Sequence, residues 1–268
     1  MLYLQIEIKR DVTYAPDLTL DEYRPKIDKL KGLLIIIHGG GWFRGNKAKD
    51  EDISTWLAQQ GYLVVTPNYH LTPEGYYPQP LVDMDHLYQQ VKKYAPKLPV
   101  AVIGSSVGGN MAVEMGIKYQ IPAVSLSGIL DIEVWLNNHQ DVVPKQDQKQ
   151  KFTTGASSTI NQSGKDDSFY KWFILNYLHD PKLAKEATPY YRVQGKTGPM
   201  LLINSLDEFV PVSGIFELSK RLGQYQTPVE ISLLPGTHHA KGYLDQVKPN
   251  ILYFLTRYLK LGSDEDDM

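Results

Sequence analysis

Short, predominantly apolar runs recur along this chain, and they constrain its fold more than any other feature. Each run spans four to six residues rich in Ile, Val and Leu, which is typical of strands buried on both faces of a parallel sheet. Segments with helical periodicity lie between the runs. This alternation predicts an α/β fold with a doubly wound, mostly parallel sheet and helices on both of its faces. The predicted strands are Leu33–Ile37, Tyr62–Val65, Val100–Ile103, Ala123–Leu126, Met200–Ile203 and Val229–Leu234.

The length of the chain, 268 residues, is normal for one α/β domain. There is no internal repeat and no Pro/Gly-rich linker, and the alternating pattern of Leu2–Ile8 predicts an edge strand before the first buried one. Four of the last five residues are acidic. We therefore predict a single domain over residues 1–261, followed by an acidic, disordered tail over residues 262–268.

A polar stretch interrupts the alternation of strands and helices over residues 137–164. It is longer than the ~12–15 residues common in structureless loops, which indicates an insertion, a lid or a disordered segment. The helix predicted after it, Phe169–Leu178, is apolar on nearly every side and must be buried against something. We predict a small lid or insertion over about residues 132–180. The alternative is that this helix is one more helix of the core.

The charge balance argues against polyanionic partners. The chain has 28 Lys and Arg residues against 30 Asp and Glu residues, a net charge of −2, and no run of basic residues. Nucleic acids and anionic membrane surfaces are therefore not expected partners.

Residue types and motifs that the chain lacks exclude further classes of function. It has no Cys, so disulfides, thiolate metal sites and a cysteine nucleophile are all excluded. No H-E-x-x-H motif or other metal-ligand spacing occurs, and we expect neither a metal nor an organic cofactor. No apolar run approaches the ~20 residues of a membrane span, and the N-terminus shows no signal-peptide pattern. A cytoplasmic location is the resulting expectation.

A candidate nucleophile, Ser106, lies at the centre of a G-x-S-x-G motif, Gly104–Gly108. A buried strand is predicted before the motif and a helix over Asn110–Tyr119 after it, which is the setting of a nucleophile elbow. Glycines suit such a sharp turn because neighbouring backbone segments approach closely there. The motif alone is weak, since a plain Gly/Ser turn could also join a strand to a helix. Its context favours Ser106 as a catalytic nucleophile.

A serine hydroxyl needs a base to take its proton and an acid to orient that base. Of the seven histidines, His238 and His239 directly follow the last predicted strand, where a base would fall in the chain order Ser, acid, His. Two carboxylates fit the same order. Asp207 lies at the end of the strand before the histidine-bearing one, and Asp131 lies one strand earlier. Position along the chain favours Asp207.

Three consecutive glycines follow the first buried strand, in His38-Gly39-Gly40-Gly41-Trp42. Glycines leave their backbone N–H groups uncovered, so this run can stabilise a developing oxyanion together with the N–H of Val107, the residue after the candidate nucleophile. A phosphate-binding loop is the alternative. That loop would lead directly into a helix, usually with a Lys after the last glycine, whereas Trp42 follows here.

The sequence resembles the α/β-hydrolase esterases of the hormone-sensitive-lipase-like type. The resemblance covers roughly residues 33–253 and rests on three motifs together: His38–Trp42, Asn68–Glu74 and Gly104–Gly108. The family's middle motif usually has Asp-Tyr-Arg-Leu-Ala-Pro-Glu, and we expect this segment to be structural. Asn68, His70 and Thr72 depart from it.

The resemblance also implies roles for individual residues. It implies Ser106 as nucleophile, Asp207 as the acid of the triad, and Gly40, Gly41 and Val107 as oxyanion donors. Because the family's histidine commonly lies three residues after a Pro-Gly pair, His239 is implied rather than His238. The Phe that often follows two residues later is Lys241 here.

These observations predict a serine carboxylic-ester hydrolase acting on small-molecule esters with short acyl chains, through an acyl-enzyme. Amide hydrolysis on the same fold, as by a formamidase or a small peptidase, is one alternative. A binding protein without catalytic activity is another, because a fold does not fix a function.

Overall fold

The computed structural model describes residues 4–146, 157–159 and 162–260. Its centre is an eight-stranded sheet with the strand order β1-β2-β4-β3-β5-β6-β7-β8. The first three strands in that order are joined by antiparallel pairing, and all the remaining neighbours pair in parallel. The predicted α/β fold with a mostly parallel sheet is confirmed. The strands are β1 (Ile6–Ala15), β2 (Leu18–Pro25), β3 (Leu33–Ile37), β4 (Leu63–Pro67), β5 (Val100–Ser105), β6 (Ala123–Leu126), β7 (Met200–Ser205) and β8 (Val229–Leu234).

Helices cover both faces of the sheet, because alternate residues of each parallel strand point to opposite sides. Leu33, Ile35 and Ile37 of β3 belong to the apolar cluster that also contains residues of α2, α3, α5 and α6. Leu34 and Ile36 belong to the other cluster, with residues of α1 and α7. The helices are α1 (Glu51–Gln59), α2 (Gln79–Tyr94), α3 (Val107–Tyr119), α4 (Glu133–Asn138), α5 (Asp167–Leu178), α6 (Ser213–Gln224) and α7 (Leu244–Tyr258).

An antiparallel hairpin at the N-terminus extends the sheet further than the sequence pattern predicts. The expected edge strand is present, but it runs over Ile6–Ala15, and β2 follows it as a strand that the pattern does not show. The apolar signal of β2 is interrupted by Asp21 and Glu22, both of which are buried. Asp21 is stabilised there by Lys47, whose Nζ lies 2.5 Å from Oδ1. The apolar pattern therefore missed this strand because it contains a buried acid with a cationic partner.

The segment predicted as an insertion contributes two helices, α4 and α5, to the described residues. α5 coincides with the predicted apolar helix and is buried along most of its length. Much of the polar stretch between the two helices, and the whole acidic tail 262–268, lie outside the described residues.

Candidate active site

Ser106 occupies the turn between β5 and α3, with backbone angles of φ 56° and ψ −121°. Such a conformation is costly for a residue with a side chain and is held here by its surroundings. The Ser106 N–H donates to the carbonyl of Leu126 at 2.7 Å. A Cβ on Gly104 would lie only 1.9 Å from the carbonyl oxygen of Gly108, so this position requires glycine. The turn has the form of a nucleophile elbow.

His239 lies in the same cavity as Ser106. Its side chain is almost fully buried, and its ring centroid lies 4.4 Å from that of Phe209. His238, by contrast, is exposed, and its carbonyl oxygen accepts a hydrogen bond from Ser205 Oγ at 2.5 Å. Of the two candidate bases, the structure brings only His239 to the cavity that contains Ser106.

The carboxylate that meets His239 is Glu208, and this corrects the expectation of Asp207. Glu208 Oε2 accepts a short hydrogen bond from His239 Nδ1, while the Asp207 side chain is exposed. The Asp207 N–H donates to the carbonyl of Gly236 at 3.0 Å, which continues the pairing of β7 with β8 beyond the ends of the two strands. This pairing places Asp207 on the solvent side of the turn and the next residue, Glu208, on the protein side.

Asp131, the other acid that the sequence allowed, is also buried but serves a different cluster. Its carboxylate accepts hydrogen bonds from Tyr190 Oη at 3.2 Å and from Ser213 Oγ at 3.1 Å. Asp131 therefore contacts these two hydroxyls, whereas Glu208 contacts the imidazole of His239.

Glu208 is fully buried, so the charge of its carboxylate must be compensated by hydrogen bonds. Its Oε1 accepts the backbone N–H of Ser205 at 2.9 Å and the hydroxyl of Ser127 at 2.7 Å. Ser127 Oγ also accepts the backbone N–H of Ala240 at 2.9 Å. One hydroxyl at the end of β6 thus contacts both the acid and the segment that carries His239.

The glycine run turns sharply after β3 and comes close to the candidate nucleophile. Gly40 and Gly41 have φ values of +132° and +64°, which favour glycine. A Cβ on Gly39 would lie 3.1 Å from Ser106 Cβ, so the loop backbone passes directly beside that residue. Val107 is the first residue of α3, where backbone N–H groups have no partner within the helix. Gly40 and Gly41 therefore line the cavity that contains Ser106, and Val107 follows Ser106 directly.

Helix α5 packs on the glycine loop and lines the cavity beside it. The indole of Trp42 stacks on Tyr177 with ring centroids 3.8 Å apart and planes 4° apart. Phe169 and Phe173 of the same helix line the cavity of Ser106 and His239, whose volume is about 60 Å³. The apolar helix is thus both a buried core element and a wall of the cavity.

Four charged residues also line this cavity, and the sequence analysis did not select them. Three are cations, Arg44, Lys49 and Lys241, and one is an acid, Asp50. Lys241 Nζ contacts Asp52, the carbonyl of Lys49 at 2.6 Å and Asp50 at 3.4 Å. No periodicity or motif marks these positions, because their proximity arises only in the folded chain.

The segment Asn68–Glu74 is hydrogen-bonded to the backbone at both ends of the glycine loop. Tyr69 Oη donates to the carbonyl of His38 at 2.9 Å, and the Thr72 N–H donates to the carbonyl of Trp42 at 2.8 Å. The Asn68 side chain accepts the N–H of Lys47 at 2.9 Å. These contacts are structural, as expected for this motif.

His38 is buried at the base of the loop, stacked on Tyr69 with ring centroids 4.3 Å apart. Its Nδ1 donates to the carbonyl of Gly39 at 2.8 Å. Burial lowers the pKa of His38 from its ordinary value to about 4. The folded protein therefore holds this imidazole neutral in mildly acidic solution, where the unfolded chain protonates it.

Stability is expected to fall with pH because of His38. Below about pH 6.5 the unfolded state binds a proton that the folded state excludes, so the free energy of unfolding decreases until about pH 4. For this residue the full decrease is about 3 kcal/mol. Urea denaturation of wild type and His38→Gln at several pH values between 7 and 4 measures it. The variant should have the shallower dependence, whereas His86→Gln, on the exposed side of α2, should match wild type. Equal slopes for all three proteins would contradict the assignment.

Comparison with known proteins adds to this geometry. The BD-FAE family model matches residues 20–222. The chain belongs to the BD-FAE family. This BD-FAE protein is 30% identical over 138 residues to an esterase of Gibberella moniliformis, covering 48% of this chain and 42% of the relative. It is 23% identical to Esterase LipC of Mycobacterium tuberculosis, covering 88% of this chain and 60% of the relative. The chain therefore spans about half the length of these curated relatives.

The fold of this BD-FAE protein is similar to that of a solved esterase from the bacterial hormone-sensitive lipase family. The TM-score is 0.70 at 19% identity, covering 96% of this chain and 84% of the other. The α/β-hydrolase fold that the resemblance implied is confirmed. Within the ranges that the structure describes, no helix combines the length and the apolar character needed to cross a membrane.

Proposed function

We propose that this protein is a serine carboxylic-ester hydrolase with Ser106, His239 and Glu208 as its catalytic triad. One observation carries the proposal: a serine in the strained turn of a nucleophile elbow shares a cavity with a buried histidine whose Nδ1 is held by a buried carboxylate. Membership of a family with esterase relatives supports the same reaction class.

The geometry supports a definite division of roles. The Nδ1 hydrogen of His239 is donated to Glu208, which leaves Nε2 as the proton acceptor. Ser106 Oγ attacks the acyl carbon as Nε2 takes its proton, and the imidazolium then protonates the departing alkoxide. Water, deprotonated by His239, attacks the acyl-enzyme, and the carboxylic acid leaves as the proton returns to Ser106. The N–H groups of Gly40, Gly41 and Val107 stabilise the oxyanion in both steps.

Labelling with a fluorophosphonate probe tests whether the serine is activated. We expect covalent attachment of one probe to Ser106 in the folded protein and none in Ser106→Ala. Absence of labelling in folded wild-type protein would support a binding protein without catalytic activity.

Turnover of an ester and an amide with the same acyl group separates an esterase from an amidase, and the ester is expected to react faster.

The aromatic wall of the cavity supports a preference for short acyl chains of about two to six carbons. Phe169 and Phe173 of α5 line the cavity that contains Ser106 and restrict the space beside it. A series of 4-nitrophenyl esters from acetate to laurate, compared by kcat/KM, measures the preference. Faster hydrolysis of the longest esters, or of triglyceride emulsions, would contradict it. We propose further that α5, which lies within the predicted insertion, forms part of a small cap over this cavity, since it supplies one of the cavity walls.

A further inference from the structure

Basic side chains are prominent among the described residues that line the cavity around Ser106. Among its described lining residues, Arg44, Lys49 and Lys241 oppose one acid, Asp50. Lys241 also contacts Asp52, which lies outside the lining. Glu208, which holds His239, is a further acid just outside the lining. A cavity built only for neutral esters has no need of cations in its wall, because apolar walls and oxyanion donors are sufficient for them.

Arg44 lines the same cavity as Ser106 and His239. Its guanidinium lies 4.6 Å from the ring centroid of Phe43 and 5.3 Å from that of Phe169, which itself lines the cavity. The stem of Arg44 runs beside the glycine loop, since a Cβ on Gly40 would lie 3.3 Å from Arg44 Cγ. Stacking between aromatic rings limits the rotamers of the guanidinium and holds its charge at the cavity wall.

Lys49 experiences the same positive environment. Burial lowers the pKa of its ammonium group, and the charges of Arg44 and Lys241 lower it further, with Asp50 opposing them. An anion entering the cavity would relieve this repulsion, and the partial burial of these groups would strengthen its attraction to them. Charge and position therefore point to the same class of ligand.

We propose that the ester substrate of this site carries a carboxylate, which Arg44 and Lys49 bind while the ester group lies at Ser106. The inference rests on the proposed ester hydrolase function. Arg44 would bind the carboxylate through its planar donor pair, whereas Lys49 would act as a point charge. The carboxylate belongs to either the acyl or the alcohol part, and the experiment separates these two cases.

Two pairs of esters of nearly equal size test the proposal. The mono-4-nitrophenyl ester of glutaric acid is compared with 4-nitrophenyl pentanoate, and 4-acetoxybenzoate with 4-acetoxybenzamide, whose acetyl ester is the group cleaved. We expect kcat/KM to be about tenfold or more higher for the charged member of at least one pair. That ratio should decrease by about tenfold in Arg44→Gln and in Lys49→Gln, and in wild type it should decrease with added salt.

Two further variants serve as controls. Arg44→Lys keeps the charge and should retain part of the ratio. Lys220→Gln removes one positive charge from the exposed side of α6 and should keep the wild-type ratio.

The proposal is overturned if neither pair favours its charged member, or if Arg44→Gln and Lys49→Gln leave the ratio unchanged. Hydrolysis of neutral esters without charge selectivity would overturn this inference alone. If no ester is hydrolysed and Ser106 is not labelled, the proposed function fails and this inference fails with it.

Discussion

Replacement of Ser106 by alanine is expected to lower kcat for a short-chain ester by about 10⁶-fold. The hydroxyl supplies the attacking oxygen, and no other described hydroxyl occupies the elbow between β5 and α3. The stability of the variant should change little, because the lost group faces the cavity and takes no part in core packing. Steady-state kinetics and thermal denaturation of the same preparation measure both quantities.

Ser105→Ala provides a matched control one residue away. Ser105 also lines the cavity, but it is the last residue of β5, within regular strand backbone, and does not occupy the strained position of the elbow. We expect this variant to lose less than tenfold in kcat. A residual rate in Ser106→Ala within tenfold of wild type, or an equal loss in both variants, would refute the nucleophile assignment.

Glu208→Gln is expected to lower kcat by about 10³–10⁴-fold, while Asp207→Asn should stay within a few-fold of wild type. The amide of a glutamine at 208 no longer carries the charge that stabilises the imidazolium, and it presents a donor where His239 Nδ1 needs an acceptor. The neighbouring residue Asp207 is exposed, and its side chain is expected to contribute nothing to this step.

Glu208→Asp tests the reach of the acid separately from its charge. The shorter side chain should retain more activity than the glutamine variant, but less than wild type, because its carboxylate no longer extends to His239 without rearrangement. If Asp207→Asn is instead the strongly impaired variant, Glu208 has only a structural role and the triad must be reassigned. Circular dichroism of all three variants shows whether a loss of activity reflects a loss of folding.

The sequence was sufficient to predict the parallel strands of the sheet and several of the residues that meet at the candidate site. Parallel strands buried on both faces have an apolar pattern that needs no tertiary information, and the helical periodicity between them needs none either. Ser106 and the glycine loop were found because their conformations demand particular residues in a fixed local order. His239 was chosen over His238 through the family resemblance, and the structure places it in the cavity.

The acid was mistaken because its identity depends on which side of a turn each residue faces. Asp207 and Glu208 are adjacent carboxylates, and composition cannot distinguish them. Only the continued pairing beyond the ends of β7 and β8 turns one outward and the other inward. The cluster of Arg44, Lys49 and Lys241 was missed for a related reason. Its members are up to 197 residues apart along the chain, and no spacing rule connects them.

The stacking of Trp42 on Tyr177 has a consequence for how a substrate reaches Ser106. These rings join the glycine loop to α5, so a displacement of that helix would break the stack and disturb the N–H groups that we propose as oxyanion donors. A large displacement of α5 would therefore admit a substrate while the glycine loop is out of position. Entry past the rim of the cavity, with α5 kept in place, preserves the donors throughout turnover. In this arrangement α5 both limits entry to the cavity and holds the glycine loop in place. The size of the cavity opening then helps to select substrates.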